Sequence, residues 1–259
     1  MLKDSTALMS VDNPREAAAK DRVIVALDFS DPDEALKLVE QLEGTVSFFK
    51  VGYELFLSAG WPIIEELHDN GLQVFLDLKM DDVEATIEKS VRSIASKNLV
   101  SFLTVHGSGA TAKAAELGKA GTELKILQIT LLTSLNATDL QDLMLVGAGD
   151  RFRFKSDSEY VKWRAEQSLK YGCDGLIASG LNAKMLRDSF PKREFTLVCP
   201  GIRPEEDLTD DHKRPCTPYQ AISDGADYIV VGRPIRNAGD PKAKAERIVE
   251  DIQAAMDDR

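Results

Sequence analysis

The segment Asp77-Leu78-Lys79-Met80-Asp81-Asp82 sets acids on both sides of a lysine, directly after the apolar run Val74-Phe75-Leu76. In an extended chain alternate side chains share a face, so Asp77 and Lys79 project together while Leu78 enters the opposite layer. A lysine flanked by carboxylates keeps its proton and can deliver it to a nearby carbon or oxyanion. Charge immediately after a buried run is costly unless paired, which favours a built site. Two other readings fit the same residues. One is a solvated acidic turn in which Asp81 or Asp82 caps the following helix. The other is a metal site on Asp77 and Asp82, which the intervening lysine opposes. Asp28 and Lys50 repeat the acid–base theme after two further apolar runs. Alone they read as an ion pair between neighbouring strands; beside Asp77 and Lys79 they make an alternating row suited to sugar hydroxyls.

A second group lies near the other end of the chain. Pro200-Gly201-Ile202-Arg203-Pro204 and Gly232-Arg233-Pro234 each follow an apolar run. Glycine permits close backbone approach, and arginine offers forked donors that match phosphate oxygens. Either segment alone reads as a surface turn; together, at this separation, they read as a phosphate grip. The polar stretch 205–214 between them reads as a mobile loop able to close over it.

The elements that must hold these groups alternate. Apolar or β-branched runs at 23–28, 47–51, 73–79, 102–106, 125–131, 175–178, 194–199 and 228–231 fit parallel strands buried on both faces. Helical patterns separate them: Asp31-Pro32 opens an amphipathic run that stops at Gly44, and Pro241 opens the last helix. Eight such units suit one closed (β/α)8 TIM barrel, a fold of typically about 250 residues, with a doubly wound open sheet as the competitor. In the barrel the C-terminal strand ends face the active site. Asp28, Lys50, Asp77, Lys79, His106, Thr133, Pro200, Gly232 and Arg233 then converge on one mouth. The barrel is expected over residues 21–259, preceded by an N-terminal extension, 1–20, and residues 144–156 read as a surface loop.

Composition narrows the function classes. The 259 residues carry 32 Lys+Arg against 43 Asp+Glu, a net charge of −11, which argues against nucleic acid or an anionic membrane as main partner. Three scattered cysteines without a CxxC pair read as reduced thiols of a cytoplasmic protein, with neither a disulfide framework nor structural zinc. No apolar run is long enough for a membrane span, and the first twenty residues lack the apolar core of a signal peptide.

Taken in order, Val25-Ala26-Leu27-Asp28, Phe49-Lys50-Val51-Gly52, Phe75-Leu76-Asp77-Leu78-Lys79 with Asp82 and Thr86, and Thr104-Val105-His106-Gly107 form one set of motifs. Thr130-Leu131-Leu132-Thr133-Ser134, Pro200-Gly201-Ile202-Arg203 and Val231-Gly232-Arg233-Pro234 complete it. This set resembles the bacterial-type orotidine 5′-monophosphate decarboxylases. The resemblance implies a homodimer acting on orotidine 5′-monophosphate to give UMP, without cofactor or metal. It implies that Asp28 and Lys50 bind the ribose hydroxyls, that Asp77 lies near the substrate carboxylate and that Lys79 donates the proton. Asp82 and Thr86 would reach across the dimer into the partner's site. Thr133 and the backbone near Pro200 would hold the pyrimidine, and Arg203, Gly232 and Arg233 the phosphate. The chain departs from the family pattern at Met80 and Glu84, where Phe and Pro are usual, and His212 stands where a phosphate-contacting Gln is common.

With no cofactor motif to act as an electron sink, stabilisation of a C6 carbanion is expected to be electrostatic. Two other readings compete. A metal-dependent sugar-phosphate decarboxylase or aldolase of the same superfamily would typically carry an acid at position 50. A non-catalytic UMP-binding protein would have no need of Asp77 and Lys79.

Overall fold

A computed structural model describes residues 17–132, 135, 137–142, 153–207 and 216–258. The eight strands are β1 (Val23–Ala26), β2 (Phe48–Gly52), β3 (Gln73–Met80), β4 (Phe102–Val105), β5 (Lys125–Ile129), β6 (Gly175–Ile177), β7 (Thr196–Pro200) and β8 (Tyr228–Val231). They pair in parallel, each with the next, and β8 closes on β1 through Val23↔Ile229, Ile24↔Val230 and Val25↔Val231. The (β/α)8 barrel is therefore the observed architecture, and the open sheet is excluded.

Between the strands run α1 (Pro32–Gln41), α2 (Tyr53–Ala59), α3 (Trp61–Asp69), α4 (Glu84–Ala95), α5 (Gly109–Lys119), α6 (Ala137–Asp142) and α7 (Asp157–Lys170). The series ends with α8 (Ala183–Ser189), α9 (Pro218–Ser223), α10 (Arg233–Arg236) and α11 (Pro241–Asp257). The start signals act as expected. Asp31 accepts from the Asp33 amide ahead of Pro32, and Asp240 accepts from the Ala243 amide ahead of Pro241. No helix among the described residues is long and apolar enough to cross a membrane.

Alternation along the strands divides the core in two. Outward residues such as Val25, Phe49, Val51, Leu76, Leu103 and Val105 pack under the helices. Inward residues, among them Ile24, Phe48, Phe75, Phe102, Val198 and Tyr228, fill the barrel. Phe48, Phe102 and Tyr228 are the first residues of three alternate strands, and their rings meet at centroid distances of 5.0, 5.3 and 5.9 Å. They floor the N-terminal end of the barrel, in keeping with layers contributed by alternate strands. Two aspartates brace that end, Asp227 buried and Asp174 partly exposed. Asp174 pairs with Lys119 and accepts from the Ile126 amide, while Asp227 pairs with Arg187 and accepts from the Leu197 amide. A short 3-10 turn, Ala19–Arg22, leads into β1, and Arg22 donates from beneath the floor to the Asp227 carbonyl.

Helices α4 and α5 are in tight contact at Gly118, where an added Cβ would stand 2.5 Å from the Glu88 carbonyl oxygen and 2.8 Å from Val91 Cβ. The helix backbones must part to admit a methyl group. Gly118→Ala is expected to destabilise the fold by about 1–3 kcal/mol, the usual cost of overpacking. Chemical denaturation would show this as a lower midpoint at an unchanged slope.

Candidate functional site

On most strands the polar mouth begins two residues beyond an inward apolar residue. Lys50 follows Phe48, Asp77 follows Phe75, Thr104 follows Phe102, Pro200 follows Val198, and Asp28 and Gly232 follow Ala26 and Val230 across the strand ends. One period of alternation thus carries each strand from the barrel core to the site.

Asp77 is the centre. Only 8% of it is exposed, and its Oδ2 lies 2.7 Å from Lys79 Nζ and 3.6 Å from Lys50 Nζ. Its Oδ1 accepts from the Thr104 hydroxyl at 2.8 Å. Lys50 Nζ also donates to Asp28 Oδ1 at 3.0 Å, so the order Asp28, Lys50, Asp77, Lys79 is a continuous row of alternating charge. Burial by itself pushes the Asp77 carboxyl up. The Lys50 and Lys79 charges, with the bonds from Lys79 and Thr104, outweigh burial and hold it below the ordinary carboxylate range. The arrangement provides two ammonium groups anchored on one ionised acid, with Lys79 the more exposed.

Lys79 does not sit on regular strand. Between Leu76, opposite Leu103, and Met80, opposite Val105, β3 takes two more residues than β4, and Lys79 has φ +44°. A non-glycine residue in that region is sterically costly and persists where its surroundings hold it. Here the Lys79 amide donates to Thr104 Oγ1 at 2.9 Å, and the next strand's His106 amide donates to the Met80 carbonyl. Thr104 therefore ties both the carboxylate and the lysine backbone. Within the bulge Leu78 still packs outward against the helix layer.

The other expected residues fall as follows. Gly232 is the N-cap of α10, and a Cβ there would meet Ala26 Cβ and Asp28 Oδ2 at an uncrowded 3.5 Å, so the glycine leaves space open beside Asp28. Arg203, 4% exposed, and Arg233 line one cleft of about 550 Å³ with Glu206, Asp207, Asn237 and Lys244. Asp82 and Thr86 are exposed and stand apart from the row: Asp82 Oδ1 accepts from the Val83 amide at 2.6 Å, and Val83, not Asp81 or Asp82, is the N-cap of α4. Thr133 and His212, with most of the stretches 144–156 and 205–214, lie outside the described residues. His106 is half-buried beside this mouth. Burial and the neighbouring Arg164 charge lower its pKa, against the opposing pull of Asp81.

Three contributors carried no role in the sequence reading. Thr104 reads as an ordinary β-branched strand residue, although a buried hydroxyl in a wholly apolar strand is itself a signal. Gly52 keeps a lane clear, since a Cβ there would stand 3.1 Å from Lys50 Nζ. Arg236, on α10, donates to the Asp28 carbonyl and lies 5.4 Å from the Phe29 ring.

Fold and site together define a (β/α)8 barrel with a paired acid–lysine centre at its C-terminal mouth. Comparison with known proteins is specific. The model of the orotidine 5′-phosphate decarboxylase / HUMPS family matches residues 21–248, and the chain belongs to that family. It is 43% identical over 233 residues to the orotidine 5′-phosphate decarboxylase of Jannaschia sp. (strain CCS1), covering 90% of this chain and 98% of the relative. It is 44% identical over 241 residues to that of Methylococcus capsulatus, covering 91% and 94%. The crystal structure of orotidine 5′-phosphate decarboxylase from Lactobacillus acidophilus superposes with a TM-score of 0.74 at 34% identity, covering 90% of this chain and 99% of that one.

Thr104→Val tests the central knot. It removes the donor to Asp77 and the acceptor of the Lys79 amide, at an expected cost of about 1–3 kcal/mol near neutral pH. A depressed carboxyl pKa stabilises the fold above its unfolded value of about 4 and loses that contribution as pH falls through the folded value. The stability gap between wild type and variant should therefore narrow in strong acid, as denaturant titrations at pH 7 and at successively lower pH below about 4 would show.

Proposed function

We propose that the protein is an orotidine 5′-phosphate decarboxylase, converting orotidine 5′-monophosphate to UMP and CO2 in pyrimidine biosynthesis in the cytoplasm. The observation that carries this reading is the buried Asp77 carboxylate with Lys79 and Lys50 at 2.7 and 3.6 Å, in a chain of this family. Decarboxylation breaks the bond from C6 to the carboxylate and leaves the electron pair on C6, where no adjacent carbonyl takes it up as an enolate. The Lys79 ammonium beside C6 stabilises that charge as it develops and then gives C6 a proton, which solvent restores. Asp77 fixes the lysine and lies near the departing carboxylate. Large enzymatic accelerations require roughly 20 kcal/mol of transition-state stabilisation, more than one lysine supplies. Binding energy from the far end of the substrate makes up part of the difference. In this reading Asp28 and Lys50 hold the ribose hydroxyls, Thr133 and the backbone at Pro200 the pyrimidine, and Arg203, Gly232 and Arg233 the phosphate, with His212 in the position of a further contact.

The chemistry rests on side chains alone. A divalent ion at Asp77 would have to displace two ammonium groups already seated there, which counts against the metal-dependent sugar-phosphate reading. The ultraviolet absorbance of orotidine 5′-monophosphate should fall on addition of enzyme, at the same rate with and without chelator. Lys79→Ala should lower kcat by at least about 10²–10⁴-fold with the fold retained. A variant keeping more than about a tenth of wild-type kcat would remove Lys79 from the proton-transfer role.

The reading also includes a twofold dimer in which Asp82 and Thr86 complete the partner's site. Two features support it: both side chains are exposed and apart from the row in the single chain, and the adjacent apolar Val83 is 65% exposed. Mixing Asp82→Ala with Lys79→Ala subunits should then restore activity, because each heterodimer has one site with both defects and one with neither. A mixture that stays inactive while heterodimers form would place Asp82 in its own chain's site.

A further inference from the structure

The cleft that contains Arg203 and Arg233 also contains two acids, Glu206 and Asp207. For a phosphate-binding cleft this is a liability, because carboxylate and phosphate oxygens compete for the same guanidinium donors. Lys244 meets both acids. Its Nζ lies 2.7 Å from Glu206 Oε1, in a hydrogen bond, and 2.8 Å from Asp207 Oδ2, in a close ion pair of poorer angular geometry. The lysine side chain is only 12% exposed. Burial acts against the ammonium, yet the bonds to Asp207 and Glu206 outweigh it and raise the lysine's pKa; the same bond to Lys244 lowers that of Glu206.

The lysine is rigidly mounted. It lies in the first turn of α11, where its amide donates to the Asp240 carbonyl, and the helix is pinned to the barrel by buried Ala245, Ile248, Ile252 and Ala255. A cation in a first turn gains nothing from the helix dipole, which favours acids there. What it gains is the two carboxylates.

We propose that Lys244 is a positioning residue for the phosphate grip: it ties Glu206 and Asp207 to α11, so that these acids do not take the place of the substrate phosphate on Arg203 and Arg233. The inference rests on the reading that the nucleotide's phosphate is held by those two arginines. Removing Lys244 takes from both carboxylates the cation they touch, leaving Arg247 as a more distant charge near Glu206, and they then act as an internal phosphate mimic.

Steady-state kinetics of Lys244→Met, of Lys244→Met combined with Glu206→Gln and Asp207→Asn, and of Arg233→Ala provide the test, with orotidine 5′-monophosphate and phosphate-free orotidine as substrates. Lys244→Met should raise KM for the nucleotide roughly tenfold or more, the scale of one charge-assisted contact. Its kcat, and its kcat/KM for orotidine, should stay within about threefold of wild type. Neutralising Glu206 and Asp207 in that background should bring KM back to within about threefold of wild type. The inference is overturned if KM does not rise, if orotidine suffers equally, which would mark a clamp that only holds the fold, or if the triple variant does not recover. Arg233→Ala separates the layers. A penalty confined to the nucleotide there, with none in Lys244→Met, leaves the phosphate reading standing and removes this inference; an equal penalty on both substrates removes the phosphate reading and this inference with it.

Discussion

One buried carboxylate organises the mouth of this barrel. Asp77 is taken out of water, which disfavours its charge, and the fold answers with two ammonium groups and a hydroxyl from its own strand and the two beside it. Each partner arrives from a different direction: Lys50 from β2, Lys79 from the distorted end of β3 itself, and Thr104 from β4. Removing any one leaves the others with uncompensated charge or an unmet hydrogen bond, so the arrangement behaves as a unit. The same unit sets the backbone, because Thr104 accepts from the amide of the lysine whose side chain grips Asp77.

The barrel was legible because its strands are buried on both faces and so read as continuous apolar runs. All eight appear, and the differences lie at the ends. The run ending at Asp28 has its last strand residue at Ala26 and the run ending at His106 at Val105, although the Leu27 and His106 amides still donate to the Lys50 and Met80 carbonyls of the neighbouring strands. The acids and lysines of the row were legible for the same reason: charge abutting a buried strand stands out. What the sequence did not disclose depends on contacts between strands. The bulge in β3 has no glycine to announce it, and the left-handed Lys79 looks like any other residue in an alternating segment. Thr104 passes for a β-former, and Gly52 for a turn. Lys244 passes for a solvent-facing lysine on an amphipathic helix, because its partners lie 37 and 38 residues away.

The two ends of the barrel use paired carboxylates in opposite ways. Asp174 and Asp227 each serve one cation and one backbone amide of a neighbouring strand, and both are spent on fastening the N-terminal end. Asp77 serves one cation as enclosed as theirs, Lys50, and one that stays more open to solvent, Lys79. The chemistry of charge pairing is shared, and what differs is whether a partner is left with a face toward the mouth.

The aromatic floor made by Phe48, Phe102 and Tyr228 has a kinetic corollary. Among the described residues, interlocked rings stop the N-terminal end, which leaves the C-terminal mouth as the way in. Whatever enters must leave along the path by which it came, so an occupant bars its successor until it has gone. The groups at the rim therefore govern arrival and departure alike.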